Sequence, residues 1–319
     1  MLFPVSGVEV HPAIPFVVAF VVSLFTSMSG VSGAFLLLPF QVSVLGFTSP
    51  SVSPTNLVYN IVAIPSGVYR YIREGRMAWP LAWIIIAGTL PGVFLGAFLR
   101  IRFLPDPARF KLFIGCVLFY IGARLLYELT PGGRGARART RALEERFKER
   151  TDQKRKNGPI DAASPDTAVR TVRFSVSRYE YRFFGEVFSF NTWALFALTF
   201  GVGVVGGTYG IGGGAIIAPF LIAVFGLPVY TIAGAALLGT FMTSIAGVFF
   251  YSLIAPLYAH TGLAVAPDWR LGALFGLGGF LGMYAGARLQ KHIPAHLIKT
   301  VLGGLILYLS LRYIVGFFV

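Results

Sequence analysis

Two glycine-rich runs stand inside apolar stretches that are too long for one membrane crossing. The first, Ser27-Met28-Ser29-Gly30-Val31-Ser32-Gly33, interrupts residues 14–47. The second, Gly206-Gly207-Thr208-Tyr209-Gly210-Ile211-Gly212-Gly213-Gly214, interrupts residues 191–227. Runs this rich in Gly and Ser do not sustain a straight helix, so each stretch reads as two shorter helices meeting at a turn. A helix that begins inside a membrane leaves its first N–H groups unbonded and carries about half a positive charge at that end. An anion is the natural partner of such an end. Gly30, Gly33, Gly210, Gly212, Gly213 and Gly214 would let a ligand approach the backbone, and Ser29, Ser32 and Thr208 add hydroxyls. Asn56 and Asn60, four residues apart, share a helix face, as do Thr240 and Ser244; Gln41 lies well inside an apolar run. Neutral amides and hydroxyls hold an oxyanion by hydrogen bonds without locking it in place. The plainer alternative is that the glycines admit close helix packing and the polar groups bond across to neighbouring helices, worth about 0.6 kcal/mol each on average.

The surrounding elements must be membrane helices. Of the 319 residues 55% are hydrophobic and 13% charged, about half the charge of a soluble domain, and the mean hydropathy is +0.72. Besides the two broken stretches, six segments suit single crossings: 53–73, 79–99, 109–128, 228–252, 269–289 and 294–318. The chain also repeats. An offset of 180 lays Gly30–Gly33 over Gly210–Gly213, Pro39-Phe40 over Pro219-Phe220, Gly46 over Gly226, Asn60 over Thr240 and Gly67 over Gly247; an offset of 190 pairs Trp79 with Trp269, Gly92 with Gly282 and Gly96 with Gly286. The expected architecture is an all-α integral membrane protein of two inverted repeats, about five segments each, each opening with a broken helix pair. Residues 1–128 form the first repeat, 129–190 a linker and 191–319 the second.

Charge sets the expected orientation. Residues 129–190 hold 14 of the 27 Lys and Arg and 8 of the 13 Asp and Glu, which makes this segment a basic cytoplasmic linker. A charged helix is expected over 143–156 and the remainder reads as mobile. The N-terminus then lies outside. Arg100, Arg102, Arg109 and Lys111 dissent, falling on the outer side. The first 13 residues lack the basic n-region of a signal peptide. The excess charge borders apolar spans, which argues against nucleic acid as a partner.

Other motifs carry less. Gly201-Val-Gly-Val-Val-Gly206 matches a dinucleotide fingerprint in letters but follows no strand. Cys116 has no cysteine partner and reads as a small buried hydrophobe. The four histidines lack ligand spacing, so no metal, cofactor or catalytic group is expected and the chain does not read as an enzyme. No Asp or Glu lies within a span, which speaks against proton coupling through a carboxylate.

The run Gly210-Ile-Gly-Gly-Gly-Ala-Ile-Ile-Ala-Pro-Phe, followed by Gly226-Leu-Pro and Ala235-Ala-Leu-Leu-Gly-Thr240, with its first-half echo from Gly30 through Pro39 to Asn56, resembles the TauE/SafE family of sulfite-exporter-like permeases. The resemblance covers nearly the whole chain outside 129–190. It implies a cell-membrane secondary transporter of small sulfur-containing anions, such as sulfite or organosulfonates, without deciding the direction; the expected mechanism is export by alternating access, driven by the membrane potential. An anion channel, or an importer of a related oxyanion or carboxylate, would share this chemistry. The partners implied are a small anion, membrane lipid and at most a second copy of the chain. The sequence departs from the family pattern in its first turn, which has no glycine triplet, and in its long basic insert.

Overall fold

The computed structural model describes residues 1–29, 32–73, 77–130, 132–133, 170–175, 177–183, 186–227, 229–289 and 295–318. The molecule is mostly helical. In the first half α1 (Ala13–Ser29) and α2 (Ala34–Ser43) flank the first glycine turn, followed by α3 (Val52–Ala63), α4 (Pro65–Arg73), α5 (Trp79–Arg102) and α6 (Pro107–Tyr127). In the second half α7 (Thr192–Tyr209), a 3-10 turn at Gly213–Ala215 and α8 (Ile217–Phe225) surround the second glycine turn; α9 (Val229–Ile254), α10 (Trp269–Leu289) and α11 (Ala295–Phe318) follow. Among the described residues five helices, α5, α6, α7, α9 and α11, are long and apolar enough to cross a membrane. Phe98, Phe119, Phe249, Leu253, Leu281, Leu305 and Tyr308 are exposed on them and on α10, a surface suited to lipid rather than water.

Local chemistry explains the helix ends. Asp106 caps α6 by accepting from Arg109 N at 2.8 Å, with Pro107 in the first turn. Asn191 caps α7 by accepting from Trp193 N at 2.8 Å and Ala194 N at 3.1 Å. The segment expected as one crossing over 53–73 is two helices, because Pro65 has no N–H to continue the ladder past Ile64.

Packing partners are exchanged between the halves. α5 lies against α7, and α10 against α1. A methyl group on Gly88, Gly92 or Gly96 would run into the carbonyls of Phe196, Phe200 and Val204; on Gly278, Gly282 or Gly286 it would run into those of Phe16, Phe20 and Leu24. These are the same contacts made twice, at the offsets of 190 and 180 read from the sequence. Gly67 meets Leu237 while Gly247 meets Leu57, a contact that maps onto itself when the halves are exchanged. The ends of α2 and α8 also match: Phe47 N donates to Gln41 O and Leu227 N to Leu221 O, with Gly46 and Gly226 at φ +68 and +62 between them.

Two small antiparallel sheets depart from the expected pattern. β1 (Leu2–Phe3) and β2 (Val8–Glu9) precede α1, with Phe3 and Val8 buried. Ser6 donates through N and Oγ to Asp268 Oδ2, and Asp268 Oδ1 accepts from Leu271 N in the first turn of α10. β3 (Arg170–Phe174), β4 (Arg178–Phe183) and β5 (Glu186–Asn191) form a meander in the segment read as mobile linker. β4 alternates basic or acidic Arg178, Glu180 and Arg182 with aromatic Tyr179, Tyr181 and Phe183, a period of two that specifies one buried face. Tyr179 and Tyr181 are fully buried, Tyr181 OH lies 2.9 Å from Thr231 Oγ1 of α9, and Phe190 packs on Phe225 of α8. Burial pushes both phenols above their ordinary range, partly offset by hydrogen bonds to Thr171 and Thr231 respectively. The charged helix expected over 143–156 lies outside the described residues.

Arg100, one of the dissenting outer charges, is fully buried. It donates to Leu104 O and Thr48 O, and its guanidinium stands 3.6 Å from the centre of the Phe110 ring. A cation held this way inside the protein does not report a loop's side of the membrane. Cys116, expected to be buried, is exposed on α6.

The repeated glycine contacts predict where bulk is tolerated. Gly92→Leu and Gly282→Leu each lower the thermal unfolding temperature, at a cost of about 1–3 kcal/mol or more for overpacking. Gly304→Ala, whose added methyl meets nothing, leaves that temperature unchanged or raises it.

Candidate functional site

The two glycine turns meet at one side chain. Asn56 Nδ2 donates to Ala34 O of the first turn at 3.0 Å and to Gly210 O of the second at 2.9 Å. Tyr209 OH reinforces the junction by donating to Phe35 O at 2.8 Å. Asn56 is placed there by α3, which lines one face along the end of α7. Ser53 Oγ donates to Thr208 O at 3.2 Å, Asn56 to Gly210 O, and Asn60 Nδ2 to Ile211 O at 2.9 Å. A helix end leaves its last carbonyls without intrahelical donors, and a polar ladder at i, i+3 and i+7 supplies them.

The backbone of the second turn needs its glycines. Gly210 ends α7 at φ +87, and Gly212 follows at φ +77, both in the left-handed region. A Cβ at Gly210 would also lie 2.5 Å from Ser53 backbone atoms. Gly213 faces Thr89, and Gly214 faces Ala236 O and Thr240. The first turn is built differently. Gly33 has helical φ and ψ of −65° and −20°, and Ser32 Oγ accepts from Ala34 N at 3.3 Å. Ser29 is the last residue of α1, and Gly30 lies outside the described residues.

The remaining expected residues fall around this junction. Gln41 Nε2 of α2 donates to Asn56 Oδ1 at 3.2 Å. Ser244 of α9 accepts from Asn60 Nδ2 at 3.3 Å. Thr240 Oγ1 donates to Ala236 O of its own helix at 2.9 Å, while its side chain touches the face of Gly212. Thr208 turns toward α5 and donates to Gly96 O at 3.0 Å and Val204 O at 2.9 Å. Gln41, Asn56, Asn60, Thr240 and Ser244 are all essentially buried.

Sequence reasoning missed two groups. Ser53 and Tyr209 complete the ladder and the junction; Ser53 was legible as a hydroxyl three residues before Asn56. Ser23, Thr26 and Tyr59 gather over Gly33, where an added Cβ would lie 3.1, 3.2 and 2.7 Å from their oxygens, and Ser23 Oγ lies 2.8 Å from Tyr59 OH. Ser23 and Thr26 are three apart on α1, a spacing that marks one face.

The junction is therefore a buried polar island without a carboxylate, since none of the described helices contains Asp or Glu. Its amide and hydroxyl donors are engaged by backbone carbonyls and by one another. Asn56→Leu leaves Ala34 O without its cross-helix donor and Gly210 O short of one, each orphaned group costing about 1–3 kcal/mol. The expected outcome is a large drop in thermal stability of the purified protein, whereas Ser32→Ala, which removes one 3.3 Å contact, has a small effect.

No curated protein and no solved structure matches the chain. A family model does, described as "Sulfite exporter TauE/SafE", over residues 15–313. That span includes both glycine turns, the α3 ladder and every helix from α2 to α10. The chain belongs to the sulfite exporter TauE/SafE family, a family of membrane transporters.

Proposed function

We propose that this protein exports small sulfur-containing anions, with the anion held between the two helix breaks and released by alternating access. The observation that carries the reading is Asn56, which holds Ala34 of one break and Gly210 of the other within 3.0 Å of a single nitrogen. Asn56 thereby ties the start of α2, a partial positive end, to the closing carbonyl of α7. The family match supplies the substrate class. Inverted repeats related by a pseudo-two-fold axis are supported by the exchanged α5–α7 and α10–α1 contacts and by the reciprocal Gly67–Leu237 and Gly247–Leu57 pair. In this scheme the protein spans the cell membrane many times, the linker 129–190 is cytoplasmic and the N-terminus lies outside.

Export needs no proton relay. Moving one negative charge outward along an inside-negative potential releases about 2.3 kcal/mol per 100 mV, close to a fifty-fold gradient. The hydrogen-bonding groups described at the junction carry no fixed opposite charge, which favours release.

Thermal-shift measurements with sulfite, sulfate, thiosulfate, sulfoacetate and taurine are expected to show stabilisation by at least one of them. Stabilisation by a non-sulfur carboxylate alone would refute the substrate class. In proteoliposomes, efflux of the stabilising anion speeds up when an inside-negative potential is imposed; flux indifferent to both the potential and the anion gradient would refute the mechanism. Channel-like single-molecule conductance would do the same. Thr240→Val, nearly isosteric, is expected to cut that flux at least tenfold while expression stays normal.

A further inference from the structure

The polar island ends in two oxygens for which the protein supplies no donor, Gln41 Oε1 and Asn60 Oδ1, on side chains that are fully buried. The amide orientations behind this are dictated by the backbone. Asn60 must turn its nitrogen to Ile211 O, because a carbonyl can only accept, so its oxygen points elsewhere. Asn56 must turn its nitrogen to Ala34 O and Gly210 O. Its oxygen is then an acceptor, and the group of Gln41 facing it at 3.2 Å must be the nitrogen. The oxygen of Gln41 is what remains. Reversing any of the three amides would set oxygen against oxygen.

The hydroxyls nearby cannot serve these oxygens, since each has one proton. Ser53 gives its proton to Thr208 O, Thr89 to Ile85 O, Thr240 to Ala236 O and Thr243 to Gly239 O. Ser244 meets Asn60 on the nitrogen side. A buried acceptor without a donor carries a desolvation penalty that an arriving donor removes.

We infer that the site selects an anion that keeps a hydrogen-bond donor: hydrogensulfite over fully deprotonated sulfite, and hydroxy- or amino-substituted sulfonates over their plain counterparts. The inference rests on the reading that a sulfur oxyanion binds between the breaks. A monoanion with one O–H or N–H places its donor on Gln41 Oε1 or Asn60 Oδ1 and turns its oxygens toward the N–H groups at the start of α2. A dianion that can only accept sets its own lone pairs against both. An alkali cation would also suit two amide oxygens, but none of the described helices offers a carboxylate to balance it.

The test uses full-length protein in detergent and two ligands that differ by one hydroxyl, isethionate and ethanesulfonate. Calorimetric titration is run in sodium and again in choline buffer. Isethionate is expected to bind at least tenfold more tightly in both buffers, and Gln41→Met to bring the ratio of the two affinities toward one. Sulfite affinity is expected to rise as the solution is taken from above to below neutral pH, through ionisation of the ligand, while sulfate affinity stays level. The titratable groups described around the junction are the phenols of Tyr59, Tyr209, Tyr251 and Tyr313 and the Arg100 guanidinium, residue types whose ordinary ranges lie well above neutral pH. Equal affinities for the sulfonate pair overturn the inference and leave the sulfur-anion reading standing. Binding of both only in sodium also overturns it, because a cation then occupies the oxygens. Failure of every sulfur anion to bind overturns both.

Discussion

In an apolar surround a backbone carbonyl without a donor has no water to turn to, and that constraint governs the centre of this protein. Breaking α1 from α2 and α7 from α8 leaves such carbonyls buried inside the protein. Ser53, Asn56 and Asn60 answer it from one face of α3, reaching Thr208, Gly210 and Ile211 in turn, while Asn56 also takes Ala34 O. The breaks persist because α3 is polar along one line. The amide nitrogens are thereby committed to structure, and the oxygens are the groups left facing outward from the network.

The site is less symmetric than the chain. The offset of 180 lays Ser53, Asn56 and Asn60 over Ala233, Ala236 and Thr240, so α9 has no amide ladder of its own. It contributes close backbone packing instead: Ala236 O and Thr240 lie against the face of Gly214. One half brings side-chain hydrogen bonds and the other brings small residues that let the turn settle. A solute between them meets chemically different walls.

Much of this was legible in the residues. The offsets of 180 and 190 anticipated which glycines make matching helix contacts, and the apolar lengths placed most helix bounds within a few residues. What was not legible followed from context. Asn56 read as a donor to a ligand, but which acceptor an amide meets depends on carbonyls more than a hundred residues away. Tyr209 read as part of a turn, and only the fold brings its hydroxyl to Phe35. The alternation in β4 was plain in the sequence, yet it was masked by the surrounding basic composition, which argued for a solvated linker. Arg100 misled the count of loop charges because burial cannot be read from charge alone.

The exchanged helix partners bear on how the chain is made. α1 is synthesised about 250 residues before the helix whose Gly278, Gly282 and Gly286 receive it. Until α10 arrives, the ridge of Phe16, Phe20 and Leu24 has only lipid or a helper protein to lie against. Assembly in the bilayer therefore cannot proceed half by half; α1 must wait, unmated, until α10 has been made.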